Sequence, residues 1–537
     1  MRVHGSGIYI AAILVGVLSG LICVAFRYTV ATICSLRPHL FNHSNPLIAH
    51  LAVFSTIFIM LSATGWIVRR FPKASGSGLP QTQALLFGRR VYDKPFTYLL
   101  VKFAGGIFSL CSGLSLGREG TSVQMGSLTG YITASLLKLP PGKHRHLIAA
   151  GAGAGVSAAF TAPLSSSILI MESLQKVTIT TTLICTLLAG GTASIIAKFI
   201  TPGNIYDSIG VAMPANPQWQ LMLLFVAMAI FFAFMGKLFS TLLEKGKLIY
   251  AQSGKSALLH NLLLASVTWT TGLFFTGMIG GDQTFLVEES TINSYLHPGI
   301  AGHPLLTSLI NILILTLIII IVSAFTILSH SSGYPGGIFL PMMTIGGLLG
   351  KLFYDLQLLI AGSWLTVSTE VPASGTLSGY FMLIGMSAFF IAVVRTPLTG
   401  FILISEMTGH YEVFFPTLIV GILVYYLTQI LKVTPLNDLL YDFMIKEDVQ
   451  QPQRTTIYID AGYGSYFHNK VCGELTLPQG CRLVEICRME KGKDGKPVNR
   501  KIPIEPQLAI QEDDSIGIEV NSSEIEQLYR ALASFGE

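Results

Sequence analysis

The chain has 537 residues, of which 51% are hydrophobic and only 12% charged, with a mean hydropathy of +0.61. Soluble domains carry about 25% charged residues, so the composition argues against a soluble fold and for a membrane protein. The net charge of +5 is small and dispersed, which does not suggest a nucleic-acid partner, and the seven cysteines show neither CxxC pairing nor metal-ligand spacing.

In chain order, the first charge-free run is Ile8 to Phe26, about the length needed to cross a bilayer. No small-residue cleavage site and polar mature start follow it, so it reads as a membrane helix that is retained. Cys23, Cys34, Cys111 and Cys185 lie in apolar surroundings and read as small buried residues. The sequons at Asn42 and Asn521 read as chance matches.

Two glycine-rich punctuations follow, "GSGLP" (Gly76 to Pro80) and "GREGT" (Gly117 to Thr121), and a third, "GGIFLP" (Gly336 to Pro341), lies in the second half. Each precedes an apolar run. Proline is favoured just inside a helix start, so Pro80 and Pro341 predict helices that begin in the membrane interior. Such starts present free backbone N–H groups and the positive end of the helix dipole. In lipid those groups need a partner, and an anion supplies one without a full countercharge that would hold it too tightly. Ser77 adds a hydroxyl donor. The structural alternative for each motif taken singly is a loop or a close helix crossing. Glu119 stands in this setting, and a mid-membrane carboxylate costs on the order of 2.5–3.5 kcal/mol by insertion scales. Neutralisation by Arg118 is one explanation. The other is that the Glu119 carboxylate occupies the anion's place and leaves it on protonation, acting as gate and proton carrier.

"GAGAG" (Gly151 to Gly155) lacks the third glycine of a dinucleotide loop, since Val156 stands at that position, and reads as a close-packed membrane helix. His144 and His146 read as members of a basic loop. Phe108 and Phe381 read as core or lipid-facing. "AAFTAPLSSSILIMES" (Ala158 to Ser173) matches "AVVRTPLTGFILISEM" (Ala392 to Met407), with Pro163 on Pro397, Leu164 on Leu398 and Glu172 on Glu406 at one offset. A weaker match sets Gly117 on Gly337, Gly126 on Gly346 and Gly130 on Gly350. Repeats of this kind are common in transporters that hold their substrate at the repeat interface. Further spans are Leu305 to Leu328 and Phe414 to Leu431.

After Lys446 the character changes. Roughly two-fifths of the charged residues fall in about the last ninety positions, which marks a domain boundary. "GELTLPQGCRLVEICRME" and "DDSIGIEV" alternate as short strands around a turn "KGKDGKP", and "SEIEQLYRAL" predicts a short helix. The domains are therefore 1–446, with repeats at about 8–200 and 219–445, and a small α+β domain at 447–537.

The three glycine motifs in this order, with "APLSSSILIMES" and "RTPLTGFILISEMTG", resemble the CLC family of chloride channels and chloride/proton antiporters over about residues 8 to 445. The resemblance implies an all-α polytopic membrane protein of two inverted repeats with helices ending in the membrane interior. It further implies a homodimer with a pore in each subunit. In it Ser77 and the backbone N–H groups of Ile338 and Phe339 hold the central anion, and the amides around Arg118 and Gly120 line the outer site. Glu119 matches the external gating glutamate, and Thr121 stands where proline is usual. Proton-coupled members usually carry an inward-facing glutamate at the position of Ser173, a departure that weakens proton coupling without excluding it. The pore tyrosine of the family aligns with Asn437, which can still donate from its amide; Tyr441, one helical turn on, is the alternative inner-pore candidate if the register slips. Gln81 and Gln83 replace common acidic residues and read as structural. The tail resembles the TrkA-C (RCK-C) regulatory domain of potassium uptake proteins, which implies a small-molecule ligand only by analogy.

The leading function is chloride transport as H⁺/Cl⁻ exchange gated by Glu119. A passive chloride channel of the same fold is the alternative that Ser173 and Asn437 favour, and a cation transporter is the remote one, since helix N-termini repel cations. No enzymatic site, cofactor or metal is expected. The partners are chloride, protons and the lipid bilayer. The modest size and tail type point to a prokaryotic inner membrane with the C-terminal domain in the cytoplasm.

Overall fold

The computed structural model describes residues 6–36, 45–88, 92–175, 180–201, 209–214, 218–252, 257–279, 304–361, 377–448, 454–461, 466–467, 470–491, 497–511, 514–521 and 528. The sequon at Asn42 and nearly all of the expected tail helix lie outside these residues. The first half comprises α1 (Ser6–Ser35), α2 (Pro46–Arg70), α3 (Leu79–Leu86), α4 (Pro95–Cys111), α5 (Glu119–Leu136), α6 (Pro141–Phe160), α7 (Pro163–Leu169) and α8 (Thr180–Ile200). A π-helical segment, Ile170–Gln175, prolongs α7. The second half comprises α9 (Gln218–Gln252), α10 (Ala257–Ile279), α11 (Pro304–Ser331), α12 (Phe339–Ala361), α13 (Leu377–Val394), α14 (Pro397–Thr408), α15 (Phe414–Ile430) and α16 (Leu436–Asp448). Among the described residues nine helices are long and apolar enough to cross a membrane. The expected spans at Ile8, Leu305 and Phe414 fall within α1, α11 and α15 with slightly different ends.

Local chemistry explains many of the starts. Proline opens α2, α4, α6, α7, α11 and α14, where its missing N–H would have been unpaired anyway. Asn45 caps α2 by accepting from Leu47 N at 3.0 Å. Gly409 ends α14 in the left-handed region, φ 77°.

The two halves repeat one another in detail. Thr161 (φ 55°) and Arg395 (φ 62°) are left-handed non-glycine residues, each two positions before the proline that opens α7 or α14. Such a conformation costs roughly 1–2 kcal/mol, so finding it twice at matched places argues that the bend is required. Small residues allow α5 to press on α6 at Gly126 and Gly151, and α12 on α13 at Gly346 and Gly385. "GAGAG" thus lies in a close-packed helix, as its composition suggested. α6 and α13 are buried along almost their whole length and form the centres of the two halves.

The tail is a four-stranded antiparallel sheet in the order β1-β4-β2-β3, built from β1 (Arg454–Asp460), β2 (Arg482–Lys491), β3 (Pro497–Ile502) and β4 (Ser515–Asn521). Its apolar residues Ile457, Phe467, Ile486 and Ile516 form one cluster with Phe87 after α3 and with Tyr441 and Met444 of α16. Gly142 N on α6 donates to Ser515 Oγ at 3.1 Å. His144 and His146 are corrected here: they lie in the first turns of α6 rather than in a loop. Pro141 starts the helix just before them. His146 Nδ1 is 2.7 Å from Thr182 Oγ1, and its Nε2 is 3.5 Å from Asp460 of the tail.

Candidate anion-binding site

Three helix starts meet where the halves join. Gly117 N donates to Gly337 O at 2.7 Å and Gly337 N donates to Gly117 O at 2.6 Å. Gly76 N donates to Gly333 O at 2.8 Å, and Gly336 N donates back to Gly76 O at 3.4 Å. These bonds tie the loop before α3, the loop before α5 and the loop before α12 into one knot. Gly78, at φ 96°, occupies a backbone conformation that side chains rarely adopt, and it is packed against Gly120 and Gln124 of α5. The N-termini of α3, α5 and α12 therefore converge, each with backbone donors that have no intrahelical acceptor.

Glu119 is the first residue of α5 and is completely buried. Its Oε1 accepts from Phe339 N at 2.7 Å and Leu340 N at 3.2 Å, while Oε2 has no partner in the structure. Arg118 makes no ion pair with it among the described residues. The carboxylate is thus held by the start of α12, not by the neighbouring guanidinium. Ile338 and Phe339 are fully buried beside it. Ser77 is 3% exposed and its Oγ has no partner in the structure, as expected of a donor aimed at a ligand. Gly120 is so close to the Ser77 backbone and to Gly337 that a side chain there would displace one of them. Thr121, next along α5, is buried with an unpartnered hydroxyl.

Sequence reasoning missed Lys102. It sits mid-way along apolar α4, is fully buried, and its Nζ donates to Gly76 O at 2.8 Å and Ala74 O at 3.0 Å. An amine so placed rigidifies the loop that carries Ser77. A lone lysine in an apolar helix was the available signal.

Asn437 of α16 donates from Nδ2 to Ser173 Oγ, and both side chains are buried. Ser173 and Asn437, singled out separately, are therefore a contacting pair. Tyr441 stands one turn further along α16. It packs edge-on to Phe87, with ring centroids 6.4 Å apart, in the cluster shared with the tail. Of the two glutamines after "GSGLP", Gln81 is structural: it accepts from Gly78 N at 3.0 Å and donates to Ser75 O at 2.7 Å. Gln83 is buried and neither of its amide atoms has a partner in the structure.

Glycine-tied helix starts around a buried glutamate, between two repeats of membrane helices, define an integral-membrane protein of the transporter or channel class. Residues 58–429 match the family model described as voltage gated chloride channel, and the chain belongs to this CLC family. It is similar to the H(+)/Cl(-) exchange transporter ClcA of Vibrio cholerae serotype O1 (strain M66-2), with 30% identity over 450 residues, covering 82% of this chain and 90% of that one. The protein of the same name from Yersinia pseudotuberculosis serotype IB (strain PB1/+) is 30% identical over 430 residues, covering 77% and 82%. Among solved structures, a slow cyanobacterial Cl-/H+ antiporter superposes with a TM-score of 0.69 at 25% identity, covering 82% of this chain and 98% of that one. A eukaryotic CLC transporter superposes with a TM-score of 0.66 at 18% identity, covering 92% and 86%, a likeness of fold alone.

Proposed function

We propose that the protein exchanges chloride for protons across the membrane, with Glu119 as both gate and proton carrier. The observation that carries this reading is the Glu119 carboxylate on the amides of Phe339 and Leu340. An anion recognised by those N–H groups competes with the carboxylate for them. Protonation weakens the carboxylate's hold, because a neutral acid accepts more weakly than an anion. Ser77, with the amides of Ile338 and Phe339, holds the central anion, and the amides at Arg118 and Gly120 line the outer approach. Transport by the named relatives supports chloride as the substrate, and the family reading gives the chain a transport role rather than an enzymatic one.

The domain boundary lies at Lys446, the tail is a cytoplasmic regulatory domain of the TrkA-C type with a small-molecule ligand, and the protein is a homodimer in a prokaryotic inner membrane. The basic residues Arg69 and Arg70 that end α2 fit an inward-facing surface there. A second reading, a passive chloride channel, is favoured by one observation. Ser173, where a proton-bearing glutamate would stand, is bonded to Asn437 and carries no titratable group.

The deciding experiment uses purified protein in chloride-loaded liposomes, with external pH and chloride followed together. An imposed chloride gradient that drives protons uphill establishes exchange. Chloride running down its gradient without proton movement establishes the channel reading.

A further inference from the structure

A cleft of about 830 Å³ opens between α9, α10 and α11, with α12 and α13 as its floor, and Glu119 does not line it. Its walls are aliphatic, and its rim residues Leu242, Leu263 and Ile320 are exposed on helices long and apolar enough to span the bilayer. In the membrane that rim faces lipid, and a cleft of this size lies in the range of ligand pockets.

One end of the cleft differs from the rest. Lys245 lines it and is exposed, and Tyr250 and His260, also lining it, join through Tyr250 Oη and His260 Nε2 at 2.7 Å. Ser331, 6% exposed, closes the same end beside Gly246, and its hydroxyl has no hydrogen-bond partner among the described residues. Lys247 follows two residues on and donates to His330 O at 3.5 Å. A long apolar trough ending in a cation, a hydroxyl donor in want of an acceptor and an imidazole–phenol pair is complementary to one kind of molecule. It must have a hydrocarbon chain and an anionic head rich in acceptors. A choline head would set a second cation against Lys245.

We propose that this cleft binds an anionic phospholipid, with an acyl chain between α9 and α11 and the phosphate at Lys245 and Ser331. Attraction of basic residues for anionic lipid headgroups is worth about a fivefold preference per residue. Nothing in the anion site contributes to the cleft, so the proposal stands apart from the reading of Glu119.

The test is native mass spectrometry of the full-length protein, purified in detergent and titrated with phosphatidylglycerol or phosphatidylcholine. The wild type is expected to retain one phosphatidylglycerol per chain, with at least about a fivefold preference over phosphatidylcholine. Ala324→Trp, which fills the cleft from its exposed rim, is expected to lose that lipid. Lys245→Glu, a surface substitution that leaves the trough intact, is expected to keep lipid binding and lose the preference. Equal retention of both lipids by the wild type overturns the proposal, as does wild-type binding by Ala324→Trp. If Ala324→Trp does not fold, Lys245→Glu decides alone: an unchanged preference overturns the proposal.

Discussion

Glu172 and Glu406 occupy matched positions in the two repeats, and each caps the helix that begins in the other. Glu172 accepts from Leu398 N at 3.2 Å, Thr399 N at 3.0 Å and Thr399 Oγ1 at 2.8 Å. Glu406 accepts from Leu164 N at 3.1 Å, Ser165 N at 2.8 Å and Ser165 Oγ at 2.7 Å. Residue for residue, the partners are also matched. This reciprocity is what a two-fold axis between the halves produces, and the exchanged hydrogen bonds of Gly117 and Gly337 repeat it at the anion site.

Because the two caps are equivalent, their removal has equivalent cost. Glu172→Gln and Glu406→Gln each leave a weaker, neutral acceptor at a helix start, and each is expected to lower stability by about 1–2 kcal/mol. Thermal unfolding of the purified variants in detergent measures this. A loss confined to one of the two would falsify the equivalence.

Glu119→Gln keeps the shape of the side chain and removes its proton chemistry. In the liposome assay, chloride flux is expected to continue while chloride-driven proton movement disappears. Proton uptake at the wild-type ratio in Glu119→Gln would remove Glu119 from the proton route.

Ser77→Ala removes a donor that has no partner among the described residues, so no hydrogen bond described within the fold is lost. A hydrogen bond to a charged group is worth about 1.5–3 kcal/mol, so chloride affinity is expected to fall at least about tenfold with little change in melting temperature. Calorimetric titration of chloride into the two proteins gives the comparison. Unchanged affinity would place the anion away from Ser77.

The repeat could be read in the sequence because proline, glycine and glutamate act through the backbone. Pro163 and Pro397 must begin helices, Gly126 and Gly346 must admit a neighbour, and Glu172 and Glu406 must find donors. Those requirements survive when apolar neighbours drift. The helix starts around Glu119 were legible for the same reason. What was not legible depends on partners distant in sequence. Lys102 shows in the sequence only as a charge in an apolar helix, and its tie to Gly76 appears only once α4 packs. His146 follows Lys143 and Arg145 and so resembled a solvated loop; Thr182 and Asp460 give it a different setting. Tyr441 follows Asn437 by one turn of α16, and its packing against Phe87 depends on a residue more than 350 positions earlier in the chain. β1, "RTTIYID", shows as a strand only through its pairing with β4, more than fifty residues later in the chain.

In the tail, Glu485 accepts from Lys501 and Tyr458. The bond from Lys501, then that from Tyr458, holds its carboxyl below the usual carboxylate range. A group whose acidity is strengthened by folding stabilises the fold above its unfolded pKa, about 4.3 for glutamate, and that contribution is lost as pH falls through the folded value. Tail stability is therefore expected to decline as pH drops below about 4, and Glu485→Gln is expected to flatten that decline. Thermal melts at pH 7 and in the acid range, on wild type and variant, provide the check. An identical acid response in both would remove Glu485 from the linkage.

The tail is joined to the membrane part at a position that leaves no room for a side chain. A Cβ on Gly142 would come within 2.9 Å of Asp460 N and 3.0 Å of its Cα, backbone atoms of β1 that cannot swing aside. Gly142→Val must push β1 and β4 away from α6. That movement breaks the bond from Gly142 N to Ser515 Oγ and separates His146 from Asp460. The sheet itself should persist, because its four strands pair with one another and because Arg488 holds the buried Asp514 with two bonds of 2.7 Å. Hydrogen exchange on the full-length protein is therefore expected to quicken at the start of α6 and at the edges of β1 and β4, while the β2 amides paired with β4 stay protected. Unchanged exchange at α6 would mean that the tail does not dock through Gly142. Loss of protection throughout the sheet would mean that docking is required for the tail to fold. If the docked tail also governs transport, the same variant changes chloride flux with the anion site intact, and Ser77 and Glu119 variants should then act on the altered rate in the same proportion as on the wild type.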